Sequence, residues 1–356
     1  PDGYGQNETR PGQPAARLGP PRSRSTVIVS PMESLDRPEV VKLLLDRRSA
    51  GYRPSIDDDG FKIGLAVEGG GMRGVISGAM MIALRDLGLK DVFDGFYGTS
   101  SGSINIAYYL NGDTWRALAT YYDHLVGSDF VDFKRLLRGG RPVRIDTVLE
   151  LMDDEVAIDY DRVLEQCRTV RFGVGMSNID SGRAEYHYDF DSPSDLRSAL
   201  RAGAWLPLLA GGPTEYRGTR YTDGGAFIPA PFIVGAADGC SHIIQLVTRP
   251  EGQPPAKLGP AEKFAARRMN RWQPGSGDTY REAHTSYLET IARMGFVETS
   301  YEGSMVYRLA CPAGGHSVGR LTMDRSVLLD GARASYQHVL RVFGEEPELY
   351  FKVGPQ

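Results

Sequence analysis

Residues 61–112 contain two short apolar runs, and each is followed by glycines and then by a segment with apolar residues at helical spacing. The first run, residues 62–68 (KIGLAVE), is apolar along most of its length, which is typical of a strand buried on both faces. Residues 75–87 then place apolar side chains on one helical face and stop before a glycine, a suitable helix end. A second strand at 93–97 and a second helix at 103–110 repeat this order. The alternation predicts an α/β domain built on a mainly parallel sheet.

Similar patterns elsewhere divide the chain into five parts. Further strands are expected at 170–176, 185–190 and 242–247, and further helices at 39–48, 194–202 and 332–343. The expected parts are a flexible tail, a helical lead-in with a linker, an α/β core, a basic lid or loop region rich in proline and glycine, and a helical extension that packs on the core. In chain order they span 1–25, 26–60, 61–250, 251–280 and 281–356.

Composition excludes several other classes of protein. The chain has 356 residues, 41% of them hydrophobic, and a formal net charge of −4, which excludes a disordered protein. Its 41 Lys and Arg against 45 Asp and Glu lack the basic surplus of a nucleic-acid-binding domain, so we expect no nucleic-acid partner. No apolar run reaches the roughly 18 residues of a membrane-spanning helix. Three widely spaced cysteines favour a reducing compartment and a cytoplasmic location; because the chain begins at Pro1, a removed signal peptide is the alternative.

A run of glycines joins the first strand to the first helix, at residues 69–74 (GGGMRG). Two kinds of site need bare backbone there. Exposed N–H groups at a helix start can hold a phosphate, and the spacing of Gly69, Gly71 and Gly74 matches the dinucleotide-binding pattern G-x-G-x-x-G. The same N–H groups can instead form an oxyanion hole, which stabilises the charge that develops during acyl transfer. A helix-entry turn without a ligand is the third interpretation, so this motif alone decides nothing.

The second strand leads into residues 98–102 (GTSSG), which match the nucleophile-elbow pattern G-x-S-x-G. That pattern is informative between a strand and a helix, where it stands in this chain. Gly98 and Gly102 flank a strained turn that a side chain would crowd, and Ser100 between them is the candidate nucleophile. A dinucleotide site would not need this elbow, and its ribose-binding acid should follow the second strand, whereas Asp94 stands near the start of that strand. An ordinary turn rich in serine and glycine is the competing interpretation.

A serine nucleophile needs a base, because an unperturbed hydroxyl reacts poorly. The better candidate is Asp223, which is followed by Gly224 and Gly225, two residues that let the backbone turn sharply beneath the carboxylate. To accept a proton near neutral pH, Asp223 needs a pKa raised above about 3.9, which requires partial burial. A surface Asp-Gly-Gly turn is the alternative. Six histidines lie outside any recognisable catalytic motif: His124, His187, His242, His284, His316 and His338.

These three motifs, in this order, resemble those of the patatin-like phospholipases: the glycine-rich segment 69–74, the elbow 98–102, and Asp223 with its two glycines. Residues 199–207 (ALRAGAWLP) also look like the family's segment ahead of its catalytic aspartate. The resemblance implies a three-layer α/β/α fold with a mainly parallel central sheet, similar to the catalytic domain of cytosolic phospholipase A2. It also implies that Ser100 and Asp223 form a dyad that hydrolyses acyl esters of phospholipids, lysophospholipids or neutral glycerolipids, without a metal or an organic cofactor.

The resemblance assigns further roles around the dyad. An acyl-enzyme forms on Ser100 and water releases it, while the backbone N–H groups of Gly70, Gly71 and Met72 stabilise the oxyanion. Arg73 either anchors the glycine segment or lies near a phosphate head group, and anchoring is favoured. The catalytic core then spans residues 61–250, and its supporting motif residues are Gly69, Arg73, Gly74, Gly98, Gly102, Gly224 and Gly225.

Some positions depart from the family's pattern. Ser101 stands where alanine is common, which places a second hydroxyl beside the nucleophile, and Gly203 replaces a small polar residue. Residues beyond about 250 match none of the family's motifs, and substrate selectivity often lies in such a region. Within it, residues 261–272 form a basic helix with one apolar face; we expect an ordinary surface helix, with peripheral membrane contact as the alternative.

Two other functions are compatible with the same motifs. One is an acyltransferase that uses the dyad of Ser100 and Asp223 and passes the acyl group to an alcohol or a thiol. The other is a catalytically silent module that binds lipid or acyl chains. Intact Ser100 and Asp223 favour an enzyme over the silent module.

Overall fold

The computed structural model of the chain describes residues 37–346 apart from Pro229, Pro254 and Ala256. The tail expected at residues 1–25 lies outside this described part. A mixed sheet of nine strands forms the centre of the described residues. In chain order its strands are β1 Ile63–Val67, β2 Gly95–Thr99, β3 Arg171–Asn178, β4 Arg183–His187, β5 Thr214–Tyr216, β6 Thr219–Asp223, β7 His242–Leu246, β8 Thr299–Tyr301 and β9 Ser304–Leu309.

The strand order across the sheet is β5-β6-β3-β2-β1-β7-β9-β8, and β4 also pairs with β3. The five central strands β3, β2, β1, β7 and β9 run parallel to one another. The antiparallel pairs lie towards the two edges. The prediction of a mainly parallel sheet from the alternating pattern is therefore confirmed.

Helices connect these strands. In chain order they are α1 Glu39–Ala50, α2 Gly74–Asp86, α3 Ser101–Asn111, α4 Thr114–Ala119, α5 Ile145–Asp153, α6 Tyr160–Gln166, α7 Pro193–Gly203, α8 Phe232–Ala237, α9 Pro260–Trp272, α10 Ser276–Met294 and α11 Arg325–Phe343. Helix α2 follows β1 after the glycine-rich segment, and α3 follows β2 after a single residue, so the start of each lies near the carboxyl end of a parallel strand. This edge of a parallel sheet is where ligands commonly bind.

The core has two sides because successive side chains of a strand point to opposite faces of the sheet. On β1, Leu65 and Val67 belong to a large apolar cluster with residues of α2, α3 and α11. Ala66, between them, belongs to a second cluster with residues of α8 and α10. Helices thus cover both faces, as expected for a three-layer α/β/α arrangement, and the central strands are buried on both sides.

The C-terminal part differs from the helical extension that the sequence predicts for 281–356. Strands β8 and β9 belong to it, and β9 continues the sheet by pairing in parallel with β7. The region 251–280, expected to be a lid or a loop, contains α9 and the beginning of α10. Helix α9 buries Ala265, Ala266 and Met269, as expected for an ordinary surface helix. Within the described residues, no helix combines the length and the apolar character that crossing a bilayer requires.

Candidate active site

Ser100 is the single residue between the end of β2 and the start of α3. Its backbone has φ of 54° and ψ of −133°, a left-handed conformation that is strained for a residue with a side chain. The strain is tolerated because β2 and α3, both fully buried, hold the two ends of the turn. The Ser100 side chain is 7% exposed and lines two cavities. The sharp turn expected of a nucleophile elbow is therefore present at Ser100.

Glycines allow the glycine-rich segment and the elbow to approach each other. A Cβ atom on Gly69 would lie 2.5 Å from Cβ of Ser100, and one on Gly102 would collide with the carbonyl group of Val67. No side chain fits in either place without moving the backbone. Other motif glycines also face close neighbours: Gly70 against Arg73 and Thr248, Gly71 against Arg320, Gly74 against Tyr121 and Ser101, Gly98 against Ser103, Gly224 against Gly175, and Gly225 against Asp223.

The N–H groups of the glycine-rich segment are not equally free. Gly70 N–H donates to Oγ of Ser101 at 3.1 Å, and Met72 N–H donates to the carbonyl oxygen of Arg320 at 2.9 Å. Gly71, with φ of 58°, donates no hydrogen bond to another described residue. Of the three N–H groups that the sequence suggests for an oxyanion hole, the one on Gly71 is available as the structure stands. The other two are occupied because the second hydroxyl of the elbow and the loop at Arg320 pack against this segment.

Strand register brings Asp223 to the elbow. Thr99, the last residue of β2, pairs with Gly175 of β3, and the next residue of β3, Met176, pairs with Asp223 at the end of β6. The carboxylate therefore reaches Ser100 across a single strand. Backbone contacts hold it there, since Asp223 N–H donates to the carbonyl oxygen of Trp205 at 2.9 Å.

Burial changes the acidity of Asp223. The residue is 6% exposed, and its Oδ1 accepts a hydrogen bond from Gly225 N–H at 2.8 Å. Its Oδ2 is buried without a hydrogen-bond partner among the described residues. Loss of solvation raises the pKa of Asp223 to about 6, and the Ser100 side chain, the Gly225 N–H and the charge of Arg320 oppose part of this increase. The pKa increase that a proton acceptor needs near neutral pH is present.

Ser100 lies where an apolar cavity meets a polar one. The apolar cavity runs between α3, α5 and the segment that follows α4. Its lining is almost entirely hydrocarbon and aromatic, with Ile104, Tyr108, Leu125, Phe130, Ile145, Val148 and Met152. A chain of methylene groups fits this chemistry.

The polar cavity is lined by Ser100 and Asp223 together with three arginines: Arg73, Arg249 and Arg320. Burial, followed by the charges of Arg249 and Arg320, lowers the pKa of Arg73 to about 9. Nε of Arg73 is buried and has no hydrogen-bond partner among the described residues. Ser101 and the carbonyl group of Arg320 hold the glycine-rich segment, and no hydrogen bond from the Arg73 side chain to a described residue supports the anchoring role favoured for it.

A buried chain of polar groups supports one side of the polar cavity. Arg249 Nη1 donates to Oη of Tyr287 at 3.0 Å, and Tyr287 Oη donates to Oε1 of Glu68 at 3.4 Å. Gln245 Nε2 donates to the same carboxylate oxygen at 2.6 Å. Glu68 therefore has partners of its own, and the guanidinium groups of the cavity are not neutralised one for one.

Sequence reasoning missed the part of this cavity that comes from beyond residue 248. Arg249 follows β7, and a charged residue at the carboxyl end of a parallel strand is a signal that could have been noticed. Tyr280 and His284 lie on α10 and Arg320 lies in the loop before α11, where no local pattern marks them. His284 is the one histidine that lines the same cavity as Ser100 and Asp223, among the residues that the structure describes. In that part of the chain, no group of three or more His, Cys, Asp or Glu residues could hold a metal ion.

Two solved structures resemble this chain. VipD from Legionella pneumophila is 11% identical, with a TM-score of 0.37, over 82% of this chain and 69% of that chain. A chain of the complex between full-length SpcU and full-length ExoU, from the type III secretion system of Pseudomonas aeruginosa, is 12% identical. Its TM-score is 0.27, over 67% of this chain and 53% of that chain.

Sequence comparison is more specific. The uncharacterized protein YjjU of Escherichia coli (strain K12) is 22% identical over 200 residues, which are 53% of this chain and 52% of YjjU. The chain thus spans about half the length of this curated relative. Residues 65–234, which include all three motifs of the site, match the family model of the patatin-like phospholipases. The chain therefore carries a domain of the patatin-like phospholipase family, which the family model matches at residues 65–234.

Proposed function

We propose that the protein is a lipid acyl hydrolase of the phospholipase A or lysophospholipase type, with Ser100 as nucleophile and Asp223 as base. One observation carries the proposal: Ser100 lies at the junction of an apolar cavity and a polar cavity, and the polar cavity contains a buried carboxylate whose pKa is about 6. An acyl chain fits the first cavity, and the alcohol part of an ester fits the second. The ester carbonyl then lies between them, at the serine.

The reaction has two halves. Oγ of Ser100 attacks the ester carbonyl carbon while its proton moves to the free Oδ2 of Asp223. The intermediate collapses to an acyl-enzyme, and the leaving alcohol takes the proton back from Asp223. Water then attacks the acyl-enzyme, gives a proton to Asp223, and releases a free fatty acid as the proton returns to Ser100.

The oxyanion of each intermediate needs preorganised donors. Gly71 N–H, which has no other partner among the described residues, serves directly. Gly70 and Met72 contribute when a substrate oxygen replaces their bonds to Ser101 and to the carbonyl group of Arg320. A bulky residue at Gly71 would meet the carbonyl oxygen of Arg320 at 2.6 Å, so that loop must move before such a variant could bind an ester.

The charges of the polar cavity favour a phosphate-bearing substrate. Three guanidinium groups face two carboxylates, Glu68 and Asp223, which leaves one positive charge in excess even when both acids are ionised. Arg73 has an unpartnered Nε among the described residues, and burial followed by the charges of Arg249 and Arg320 lowers its pKa, so this guanidinium group would gain from a counter-ion. A phosphodiester or phosphomonoester group supplies that counter-ion through charge-assisted hydrogen bonds, which a neutral glycerolipid cannot make.

The reaction type can be tested by product analysis. Incubating the purified protein with a phospholipid in detergent micelles should release free fatty acid and the matching lysophospholipid, with no requirement for an added alcohol. Mass spectrometry of the lipids measures both products. Release that depends on an acceptor, with the acyl group recovered on it, would contradict hydrolysis and identify an acyltransferase.

Arg249→Gln should lower kcat/KM for a micellar phospholipid by about tenfold to a hundredfold, because one charge-assisted bond to phosphate contributes about 1.5–3 kcal/mol. The variant should hydrolyse an uncharged nitrophenyl ester at nearly the wild-type rate. Arg267→Gln removes an exposed arginine from α9 and is the matched control, for which we expect no change with either substrate. Equal losses on both substrates would argue against phosphate binding by Arg249.

A further inference from the structure

A loop at residues 132–142 begins and ends next to residues that line the apolar cavity. Its two ends are joined by a β-bridge between Val131 and Val143 and by flanking backbone hydrogen bonds. The residues just outside this bridge, Phe130 and Ile145, line the apolar cavity. The loop is thus fixed at its base to the wall of the site where we propose that the acyl chain binds.

The tip of the loop exposes large apolar side chains. Residues Phe133–Arg138 form a short 3-10 helix with no buried member. Phe133 is 51% exposed, Leu136 56% and Leu137 90%, and these are three of the seven large hydrophobic residues that are exposed in the described part of the chain. Exposed apolar residues scattered singly are normal, but a cluster of this kind commonly marks a contact surface.

Basic residues flank these apolar residues in the sequence. Across residues 132–144 there are five basic side chains and one acidic residue, Asp132, whose carboxylate accepts the N–H of Lys134 at 2.8 Å and so caps the short helix. Arg135 donates to carbonyl groups at the base of the loop. The exposed basic residues are Lys134, Arg138, Arg141 and Arg144, of which Arg144 pairs with Glu150 at 4.0 Å. Apolar side chains among cations favour a surface that is hydrocarbon inside and anionic outside, which is the interface of an anionic lipid bilayer.

We propose that the loop 132–142 docks the protein onto an anionic lipid surface, with Phe133, Leu136 and Leu137 inserted among the acyl chains and the cations on the head groups. The docking brings the apolar cavity, through Phe130 and Ile145, to the surface from which an acyl chain would enter. The purpose of the docking rests on the proposed function, but the binding itself does not. Helix α9 is the weaker candidate for this role, because it buries its apolar face and exposes Phe264 alone among its large apolar residues.

The test is cosedimentation of the full chain, carrying Ser100→Ala so that lipid is not consumed, with two kinds of vesicle. One kind contains phosphatidylcholine alone, and the other contains equal parts of phosphatidylcholine and anionic phosphatidylglycerol. We expect the parent to bind the anionic vesicles. The single variants Leu136→Ser and Leu137→Ser should each lower the affinity for these vesicles about tenfold or more. Lys134→Gln and Arg138→Gln should each lower binding about fivefold. Phe264→Ser, which removes an exposed aromatic residue elsewhere, should bind like the parent.

Other measurements separate this proposal from its competitors. The double leucine variant carries both Leu136→Ser and Leu137→Ser. Absence of vesicle binding by the parent, or undiminished binding by this double variant, would overturn the docking role. A dimer of the parent that becomes a monomer in the double leucine variant, seen by size-exclusion chromatography with light scattering, would instead assign the loop to a contact between two copies. When the native Ser100 is kept, the leucine variants should hydrolyse a soluble ester at the wild-type rate. Vesicle binding without ester hydrolysis would reject the proposed function and leave the docking intact.

Discussion

Replacing Ser100 with alanine is expected to lower kcat for a soluble nitrophenyl ester by about a millionfold, the loss that follows removal of a serine nucleophile in well-studied hydrolases. Ser100→Ala removes one oxygen and should leave the fold intact, because the elbow is held by β2 and α3. Hydrolysis is measured by absorbance, and labelling with a fluorophosphonate probe is measured by mass spectrometry. The label should appear on Ser100 in the wild type and be absent from the variant.

Ser101→Ala is the matched control for this assignment. It removes the neighbouring hydroxyl, frees Gly70 N–H from its bond to Oγ of Ser101, and should keep kcat within about tenfold of the wild type, since a single hydrogen bond contributes about 0.5–1.5 kcal/mol. Loss of activity and of the label in Ser101→Ala, with both retained in Ser100→Ala, would assign the nucleophile to Ser101.

Ser100→Gly gives a second control, on the strain of the elbow. The left-handed conformation costs about 1–3 kcal/mol for a residue with a side chain, whereas glycine costs about 0.5–1 kcal/mol in chain entropy. The glycine variant should therefore be inactive yet melt at a higher temperature than Ser100→Ala. Equal melting temperatures would show that the turn is not strained.

Asp223→Asn is expected to lower kcat/KM for the same ester by about a hundredfold to ten thousandfold, the usual contribution of a general base. An asparagine keeps the shape of the side chain and can still accept the N–H of Gly225, so the loss reports on proton transfer rather than on folding. Circular dichroism and the melting temperature check that the variant is folded. Near wild-type kcat/KM in a folded Asp223→Asn variant would exclude Asp223 as the base.

The pH dependence of wild-type kcat/KM tests the role of Asp223 independently. Burial raises the pKa of Asp223 to about 6, and only the ionised carboxylate accepts a proton. The wild-type kcat/KM should therefore fall as the pH falls through about 6, and this acid limb should be missing from the residual activity of Asp223→Asn. His284 lines the same cavity and is the competing base, so His284→Gln is the comparison. We expect it to keep the acid limb and most of the activity, and loss of both would assign the proton transfer to His284.

Local pattern predicted much of the central part of the fold. The strand expected at 62–68 became Ile63–Val67 and the helix expected at 75–87 became Gly74–Asp86, because a run buried on both faces and a 3.6-residue apolar repeat leave few other structures. The sequence did not predict short elements such as α4, α6 and β5, because three to seven residues are too few to show a repeat of apolar side chains. Strand β9 also escaped, and it turned the expected helical extension into part of the sheet.

The sequence by itself determined the α/β class, the serine at the elbow, and the glycines that let two loops meet, because each depends on the backbone over only a few residues. Tertiary structure alone decided that Asp223 lies one strand away from the elbow, that Arg249, Arg320 and His284 join the site, and that Gly70 and Met72 already donate hydrogen bonds. It also placed the exposed loop 132–142 beside the apolar cavity. Such contacts depend on strand register and on the packing of segments far apart in the chain, and no local spacing of residues encodes them.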